Sequence, residues 1–352
     1  MLKRWTTILL CLIVAVSLSA CGSSKDQGNK TEENSLAAGS TEQTKDTNTE
    51  QTSAEQMNTE EISTGQTHTE QTSAEQTSTA ETGKIKVSVT FNAMKEFVMA
   101  VGMDKVDVST IIPDGMEPHD FEPKAQDLAG LSAAQIFVYS GLGMEAWAEE
   151  AVTAANNAKL ITVEASKGAD AIVNTDAEEI EEHGQYDPHI WLSLKGAELE
   201  VKNIKEALIQ ADPSNKDFYE ANYNTYITQL DDLYKEYNEK FQAAGKKSFV
   251  TGHAAFGYLC RDFGLEQNSV EDTFAEGEPS AKQLTELVKY CRDNKVTTIF
   301  AEEMASPEVS ATLAKEVGAE VETIYTIESG EDNLTYLERI EDNLSKIYDS
   351  LK

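Results

Sequence analysis

Three histidines are the side chains of this sequence best placed to do chemistry. His119 follows the apolar run Val106–Ile112, and His253 follows the apolar run Ser248–Thr251. His189 lies in a proline-containing loop ahead of a helical pattern. Open α/β sheets bind ligands beyond the carboxyl ends of their strands, and imidazole nitrogen is a preferred ligand of Zn²⁺. The pattern therefore predicts a metal site formed by the three histidines.

A carboxylate is expected to complete this site. Glu328 closely follows the predicted strand Val321–Thr326, and Glu302 and Glu303 lie at the end of another predicted strand. By position alone these three carboxylates are equal candidates. Three imidazole nitrogens and one carboxylate oxygen suit a tetrahedral Zn²⁺ ion. The alternative role for Glu302 or Glu303 is to orient a histidine through a hydrogen bond.

The elements that must position these residues are apolar strands alternating with helices. Between two such series, Ser214–Ala243 has apolar or aromatic residues every three or four positions, which predicts one helix about 45 Å long. The fold is therefore predicted as α/β, with two α/β lobes of mainly parallel sheet joined by one long helix and a metal site in the cleft between them. The predicted strands are Ile85–Phe91, Val106–Ile112, Gln135–Ser140, Leu160–Glu164, Ser248–Thr251, Thr297–Ala301 and Val321–Thr326.

Composition excludes several classes of protein. The 352 residues include 62 acidic and 29 basic side chains, for a net charge of −33. Such a polyanion repels phosphates, so we expect no nucleic acid partner. The four cysteines form no CxxC pair, which argues against a disulfide scaffold or a cysteine zinc site. Cys260 and Cys291 could form a disulfide or be buried singly, and the sequence leaves both possibilities open.

The N-terminal residues 1–21 have the pattern of a secretion signal. Lys3 and Arg4 precede the short apolar run Ile8–Leu18. The run ends in Leu18-Ser19-Ala20-Cys21, which resembles a bacterial lipobox, so we expect Cys21 to be acylated. The protein would then be anchored to the outer face of the cell membrane. The alternative is an ordinary signal peptide with an incidental cysteine.

A polar segment separates this signal from the globular region. Residues 22–83 are nearly all Ser, Thr, Glu, Gln, Asn, Ala and Gly, which predicts a disordered acidic tether. An O-glycosylated stalk is the alternative. The remaining chain is predicted to divide into an N-terminal lobe at 84–213, the connecting helix at 214–243 and a C-terminal lobe at 244–352.

Four motifs resemble the solute-binding lipoproteins of zinc and manganese ABC transporters. They are EPHDFEP at 117–123, DPHIWLS at 187–193, TGHAAFGYL at 251–259 and IFAEEMAS at 299–306. The resemblance covers essentially all of 84–352. It implies two α/β lobes joined by a single long helix, with one metal ion between them and small domain motion.

The resemblance also implies a ligand set. Carried over by position, it assigns His119, His189 and His253 as ligands. Ile327-Glu328-Ser329 matches the Leu-Glu-Ser turn of the zinc-binding branch, which puts Glu328 ahead of its rivals. The manganese branch typically has glutamate in place of the third histidine and ends with aspartate. His253 therefore favours Zn²⁺, with Mn²⁺ as the alternative.

Four protein ligands leave no position for a reactive water, so we expect capture rather than catalysis. The implied function is a monomeric, lipid-anchored receptor that delivers zinc to an ABC transporter permease. The alternatives are a manganese-binding protein, a zinc hydrolase and a surface adhesin. One departure from the family is the segment 176–186, where zinc-binding members often carry a histidine-rich acidic loop. This segment is acidic with His183 alone, so either weak cation attraction or a solvated loop fits it.

Overall fold

The structure is a computed structural model that describes residues 83–175, 180, 184–273, 280–303, 308–330 and 332–352. The described residues belong to one compact unit. The predicted signal peptide, Cys21, nearly all of the tether and most of the acidic segment 176–186 lie outside the described residues. Within the described part of the chain, no helix is both long and apolar enough to cross a membrane.

The first half of the unit contains a four-stranded parallel sheet in the order β2-β1-β3-β4. The strand β1 is central in this sheet, and its last three residues, Val87, Ser88 and Val89, are all buried, so both faces are covered there. The predicted strand Ile85–Phe91 is too long, because Phe91 already serves as the N-cap of the first helix. The elements are β1 (Ile85–Val89), α1 (Asn92–Gly102), β2 (Val106–Thr110), β3 (Ile136–Tyr139), α2 (Ala148–Ala155), β4 (Ile161–Glu164) and α3 (Leu194–Ala211).

The second half repeats this arrangement with a parallel sheet in the order β6-β5-β7-β8. The edge strand β6 was not predicted, because its sequence EQNS is polar and none of its residues is fully buried. The strand predicted at Val321–Thr326 spans Glu320–Ile324 in the structure, so Thr326 lies two residues beyond its end. The elements are β5 (Ser248–Thr251), α5 (Gly257–Phe263), β6 (Glu266–Ser269), α6 (Ala281–Asp293), β7 (Thr298–Glu302), α7 (Glu308–Val317) and β8 (Glu320–Ile324).

A single long helix, α4 (Lys216–Ala243), connects the two sheets, as predicted. Its buried residues are Tyr219, Tyr226, Leu230, Tyr237 and Phe241, whose spacing places them on one stripe. The helix packs against α1 and α3 from the first half, and against α5 and the C-terminal helix α8 (Tyr336–Ser350). The fold class is therefore confirmed as two α/β lobes with parallel sheets. The proposed boundaries at 84–213, 214–243 and 244–352 stay a prediction.

One hydrophobic core runs through both halves. It joins Val87 of β1 to Phe249 of β5 and Ile340 of α8. The ring of Tyr336, at the start of α8, lies 4.7 Å from the ring of Phe97 in α1. Moving the two halves apart as rigid bodies would expose this shared apolar surface.

The two cysteines of the described chain do not form a disulfide. Cys260 and Cys291 are both buried free thiols. Cys260 belongs to the shared core, whereas Cys291 belongs to a separate cluster beneath the second sheet. Each thiol is therefore buried singly.

Candidate metal centre

The three predicted histidines converge at the carboxyl ends of the strands. One ring nitrogen from each of His119, His189 and His253 lies within 4.8 Å of the others. The Nε2 atoms of His119 and His189 are 3.0 Å apart. Two nitrogens bound to one tetrahedral zinc ion lie about 3.4 Å apart, so small adjustments would accommodate the metal.

Each histidine is carried by a different local structure. His119 lies in the loop after β2 and is partly exposed. His189 is fully buried and precedes the 3-10 turn Ile190–Leu192. His253 is 5% exposed and comes two residues after β5 ends. The cluster thus has one outward-facing member and two buried members.

Asp187 fixes the ring of His189. Its Oδ1 atom lies 2.9 Å from His189 Nδ1 and accepts a hydrogen bond from the His189 peptide N–H at 2.9 Å. With Nδ1 held in this way, Nε2 is the nitrogen that faces the cluster. Burial raises the pKa of Asp187 to about 7. Burial, helped by the charge of His253, lowers the pKa of His189 well below its ordinary value, which favours the neutral ring that metal ligation requires.

Glu302 plays the corresponding part for His253. Glu302 Oε1 accepts a hydrogen bond from the His253 peptide N–H at 3.0 Å and lies 3.5 Å from the ring Nδ1. Burial lowers the pKa of His253, but the hydrogen bond and charge of Glu302 outweigh it, so the pKa is raised overall. A side chain at Gly252 would place its Cβ 1.9 Å from Glu302 Oε2, so a larger residue there would displace the carboxylate that holds His253. His253 Nε2 is buried and has no hydrogen-bond partner in the described chain.

Glu328 presents a second buried atom without a partner. Its Oε2 accepts a hydrogen bond from Thr326 Oγ1 at 2.9 Å, whereas Oε1 has no donor among the described residues. Burial raises the pKa of Glu328 well above its ordinary value, and the charges of Glu117 and Glu303 add to this effect. A bound cation would offset the cost of burying this carboxylate in its ionised form.

The turn that carries Glu328 is held from several sides. The Glu303 carboxylate accepts hydrogen bonds from the peptide N–H groups of Thr326 at 2.8 Å and Ile327 at 3.1 Å. Trp191 Nε1 donates to the Thr326 carbonyl at 2.8 Å. Ile327 is buried with a φ of 61°, a left-handed conformation that costs energy in a β-branched residue. The surrounding contacts therefore hold a strained backbone in place.

Two carboxylates beside the histidines were not singled out from the sequence. Glu117 lies within 4.8 Å of the ligand atoms of His119 and Glu328, and burial raises its pKa. Asp187 bonds to His189, as described above. Each of these acids lies two residues before a histidine, in the sequences EPH and DPH. An acidic residue at this spacing is the pattern from which both could have been predicted.

These donors fit a zinc ion. The two groups of potential ligand atoms, one of three histidines and one of Glu117, His119 and Glu328, share His119. The buried atoms without partners, His253 Nε2 and Glu328 Oε1, are a nitrogen and an oxygen of the kinds that bind Zn²⁺. The arrangement can hold a divalent cation that both groups of side chains partly surround.

Comparison with known proteins gives a consistent result. A sequence model of the family described as zinc-uptake complex component A, periplasmic (ZnuA), matches residues 87–350. The chain is 46% identical over 275 residues to a putative metal-binding protein of Treponema pallidum, covering 76% of this chain and 87% of that protein. It is 38% identical over 281 residues to the high-affinity zinc uptake system protein ZnuA of Bacillus subtilis, covering 76% and 88% respectively.

A solved structure supports the same likeness. The crystal structure of a zinc-bound deletion mutant of ZnuA superposes with a TM-score of 0.68 at 30% sequence identity. The match covers 76% of this chain and 98% of that one. The similarity thus extends over the whole two-lobed region.

Proposed function

We propose, from the premise that this chain belongs to the family of zinc-uptake complex component A, that it captures Zn²⁺ outside the cytoplasm and delivers it to the permease of an ABC transporter. The family is one of solute-binding proteins, and the relatives include a high-affinity zinc uptake protein. The observation that carries the proposal is the cluster of three imidazoles, two of them buried, near a carboxylate oxygen that has no donor among the described residues.

The ligands in this proposal are His119, His189, His253 and Glu328. A buried polar atom without a partner lowers the stability of the fold by about 1 to 3 kcal/mol. His253 Nε2 and Glu328 Oε1 are two such atoms, and a bound ion would supply the missing contact to both. Glu302 and Glu303 support His253 and the Glu328 turn through peptide hydrogen bonds. Their contacts favour the supporting role over direct ligation.

The donor set favours zinc over manganese. Imidazole is a common ligand of Zn²⁺, whereas Mn²⁺ is better suited by carboxylate, carbonyl and water oxygens. Three imidazole nitrogens and one carboxylate oxygen match the ligand preference of Zn²⁺. Manganese remains the alternative metal.

The chemistry in this proposal is binding and release. Four protein ligands would close a tetrahedral shell and leave no position for a water nucleophile, so the proposal includes no catalytic activity. Lipid anchoring through Cys21 to the outer face of the membrane, and a monomeric state, belong to the same proposal and rest on the sequence pattern.

A calorimetric titration of the metal-free protein with Zn²⁺ and Mn²⁺ tests the proposal. We expect one tight Zn²⁺ site, and His253→Ala should weaken it by more than about a hundredfold, beyond the range typical of supporting residues. His68→Ala, in the tether, is the matched histidine control and should bind as the wild type does.

Other outcomes would point elsewhere. Tighter binding of Mn²⁺ than of Zn²⁺ would make the chain a manganese-binding protein. The absence of stoichiometric binding of either ion would contradict capture, and would leave a function of the outer surfaces, such as adhesion, to be tested. Zinc-dependent turnover of a substrate would indicate a hydrolase.

A further inference from the structure

Glu117, His119 and Glu328 form a second group of potential ligand atoms, which overlaps the group of three histidines. We propose that this second group is an exchange position on the solvent side of the centre, and that Glu117 contacts the ion only during capture and release. The inference rests on the proposed function and assigns Glu117 a kinetic role within it.

Exposure differs across the centre in a way that gives the ion a direction of approach. Glu117 and His119 are partly exposed. His189 is fully buried, and His253 and Glu328 are each 5% exposed. An ion arriving from solvent therefore reaches Glu117 and His119 before it reaches the buried ligands.

The two positions share ligands, so the ion can pass between them without losing all protein contacts. His119 belongs to both groups. One carboxylate oxygen of Glu328 lies within 4.8 Å of the ligand atoms of Glu117 and His119. The buried Oε1 of Glu328 has no donor in the described chain. A move inward would keep His119 and replace Glu117 with His189 and His253.

The two groups also differ in charge. The outer group holds two carboxylates and one imidazole, whereas at the inner position two imidazoles, His189 and His253, take the place of the Glu117 carboxylate. A carboxylate attracts a hydrated dication over a longer distance than a neutral imidazole does. An oxygen-rich position also suits an ion that still carries water, and the nitrogen-rich position suits the dehydrated Zn²⁺ ion.

The local structure places Glu117 where this role requires it. The His119 peptide N–H donates to Glu117 Oε1 at 3.4 Å, which holds the Glu117 carboxylate against the backbone of His119. The same loop is tied to the Glu328 turn, because Gly115 N–H donates to Ser329 Oγ at 3.1 Å and Gly330 N–H donates to Asp114 Oδ1 at 2.9 Å. The outer group is therefore held in place by bonds between its two loops.

Stopped-flow mixing of the full metal-free protein with Zn²⁺ alone measures the two rate constants that the inference concerns. Trp191 is a suitable fluorescent reporter, because its ring lies 5.3 Å from the ring of His189. For Glu117→Gln we expect the association and dissociation rate constants to fall together by about tenfold, with Kd changed by less than about threefold. Glu122→Gln, an exposed carboxylate of the same loop, should leave both constants within about twofold of the wild type.

A second variant separates contact from simple attraction. Glu117→Asp keeps the charge and shortens the side chain, so we expect it to remain slower than the wild type. Full restoration of both rates by Glu117→Asp would mean that charge alone matters, and would overturn the exchange position. Both variants are first compared with the wild type by thermal unfolding without metal, which identifies a folding defect.

The failures of the inference and of the proposed function can be told apart. A faster dissociation with unchanged association would make Glu117 a permanent ligand and would overturn the inference. Wild-type rates in Glu117→Gln would overturn it as well, while leaving zinc capture intact. If the wild type itself fails to bind Zn²⁺, the proposed function is wrong and the exchange position with it.

Discussion

Carboxylates are buried in two regions of this protein, and their surroundings differ. In the first lobe, Glu145 is 5% exposed and accepts hydrogen bonds from Thr90 Oγ1 at 2.6 Å, Ser140 N–H at 3.0 Å and Gly141 N–H at 2.9 Å. At the candidate metal centre, Glu328 is equally buried. Within the described chain, however, one of its two oxygens has no donor.

The difference shows that burial alone does not identify a metal ligand. The donors around Glu145 supply the hydrogen bonds that water would otherwise supply, so that carboxylate needs no cation. Glu328 has one donor, Thr326 Oγ1, and lies beside His119 and Glu117 instead. The number of donors alone does not identify a ligand, because Glu200 Oε2 in the first lobe also lacks a partner among the described residues. The additional feature of Glu328 is its place in a group of potential metal ligands.

The largest effect that would test this comparison is the loss of zinc affinity in Glu328→Ala. Removing one partner of a buried ionic contact costs about 4 kcal/mol, so we expect Kd for Zn²⁺ to rise by roughly a thousandfold. The free energy of unfolding of the metal-free protein should fall by only about 1 kcal/mol, because Thr326 Oγ1 is the one described donor that loses its acceptor. Competition with a chelator measures Kd, and urea unfolding measures stability. Glu320→Ala, exposed on the preceding strand, is the control.

The converse effect is expected for Glu145→Ala. The substitution leaves two peptide N–H groups and a hydroxyl without their acceptor, which should lower the free energy of unfolding by about 3 kcal/mol. Zinc affinity should stay within about twofold of the wild type in the folded protein. Urea unfolding and chelator competition measure both, with the exposed Glu150→Ala as control. A large loss of zinc affinity would show that the two regions are coupled, contrary to the comparison.

A smaller effect should follow from Glu303→Gln. The amide keeps one of the two acceptor oxygens, so one of the peptide N–H groups of Thr326 and Ile327 loses its partner and the Glu328 turn loosens. We expect zinc affinity to fall by about tenfold, the effect typical of a residue that orients a ligand. Equilibrium competition with a chelator is the measurement. An effect as large as that of Glu328→Ala would instead indicate direct ligation by Glu303.

The smallest expected effect concerns pH and Glu200, the neighbour of Glu145. Burial, with the charge of Glu145, raises the pKa of Glu200 well above its ordinary value, so the folded protein holds this proton more tightly than the unfolded chain. The resulting stabilisation is complete below the unfolded pKa, near 4.5, and is lost as pH rises toward the folded pKa.

Glu200→Gln cannot ionise, so its stability relative to the wild type should increase with pH. Between pH 5 and pH 8 we expect the difference in unfolding free energy to grow by about 1 kcal/mol or more. Urea unfolding of both metal-free proteins at the two pH values measures it. A constant difference would show that Glu200 titrates normally and has the solvation of a surface acid.

The sequence predicts the parts of the centre that depend on chain order. The three histidines could be found because each lies at the end of a predicted strand or in a stiffened loop. The strand β6 could not, because its polar residues give no apolar pattern. The proximity of Glu117 to Glu328 depends on how separate loops meet in space, whereas Asp187 and His189 lie two residues apart in one loop.

Two adjacent glutamates illustrate the same limit. Glu302 is the last residue of β7, and Glu303 follows it outside the strand. Glu302 bonds to His253, and Glu303 bonds to the Glu328 turn. The sequence places both near the end of a strand, but only the packed structure shows what each one contacts.

The shared core has a consequence for how the molecule responds to its metal. Because Phe249, Tyr336 and Val87 belong to one apolar cluster, each half shares part of its interior with the other. We therefore expect the two halves to unfold together, so that an ion bound at the histidines stabilises both of them. The melting temperature of the entire protein becomes a readout of zinc occupancy, and a protease acting on the unfolded chain would remove empty molecules faster than loaded ones.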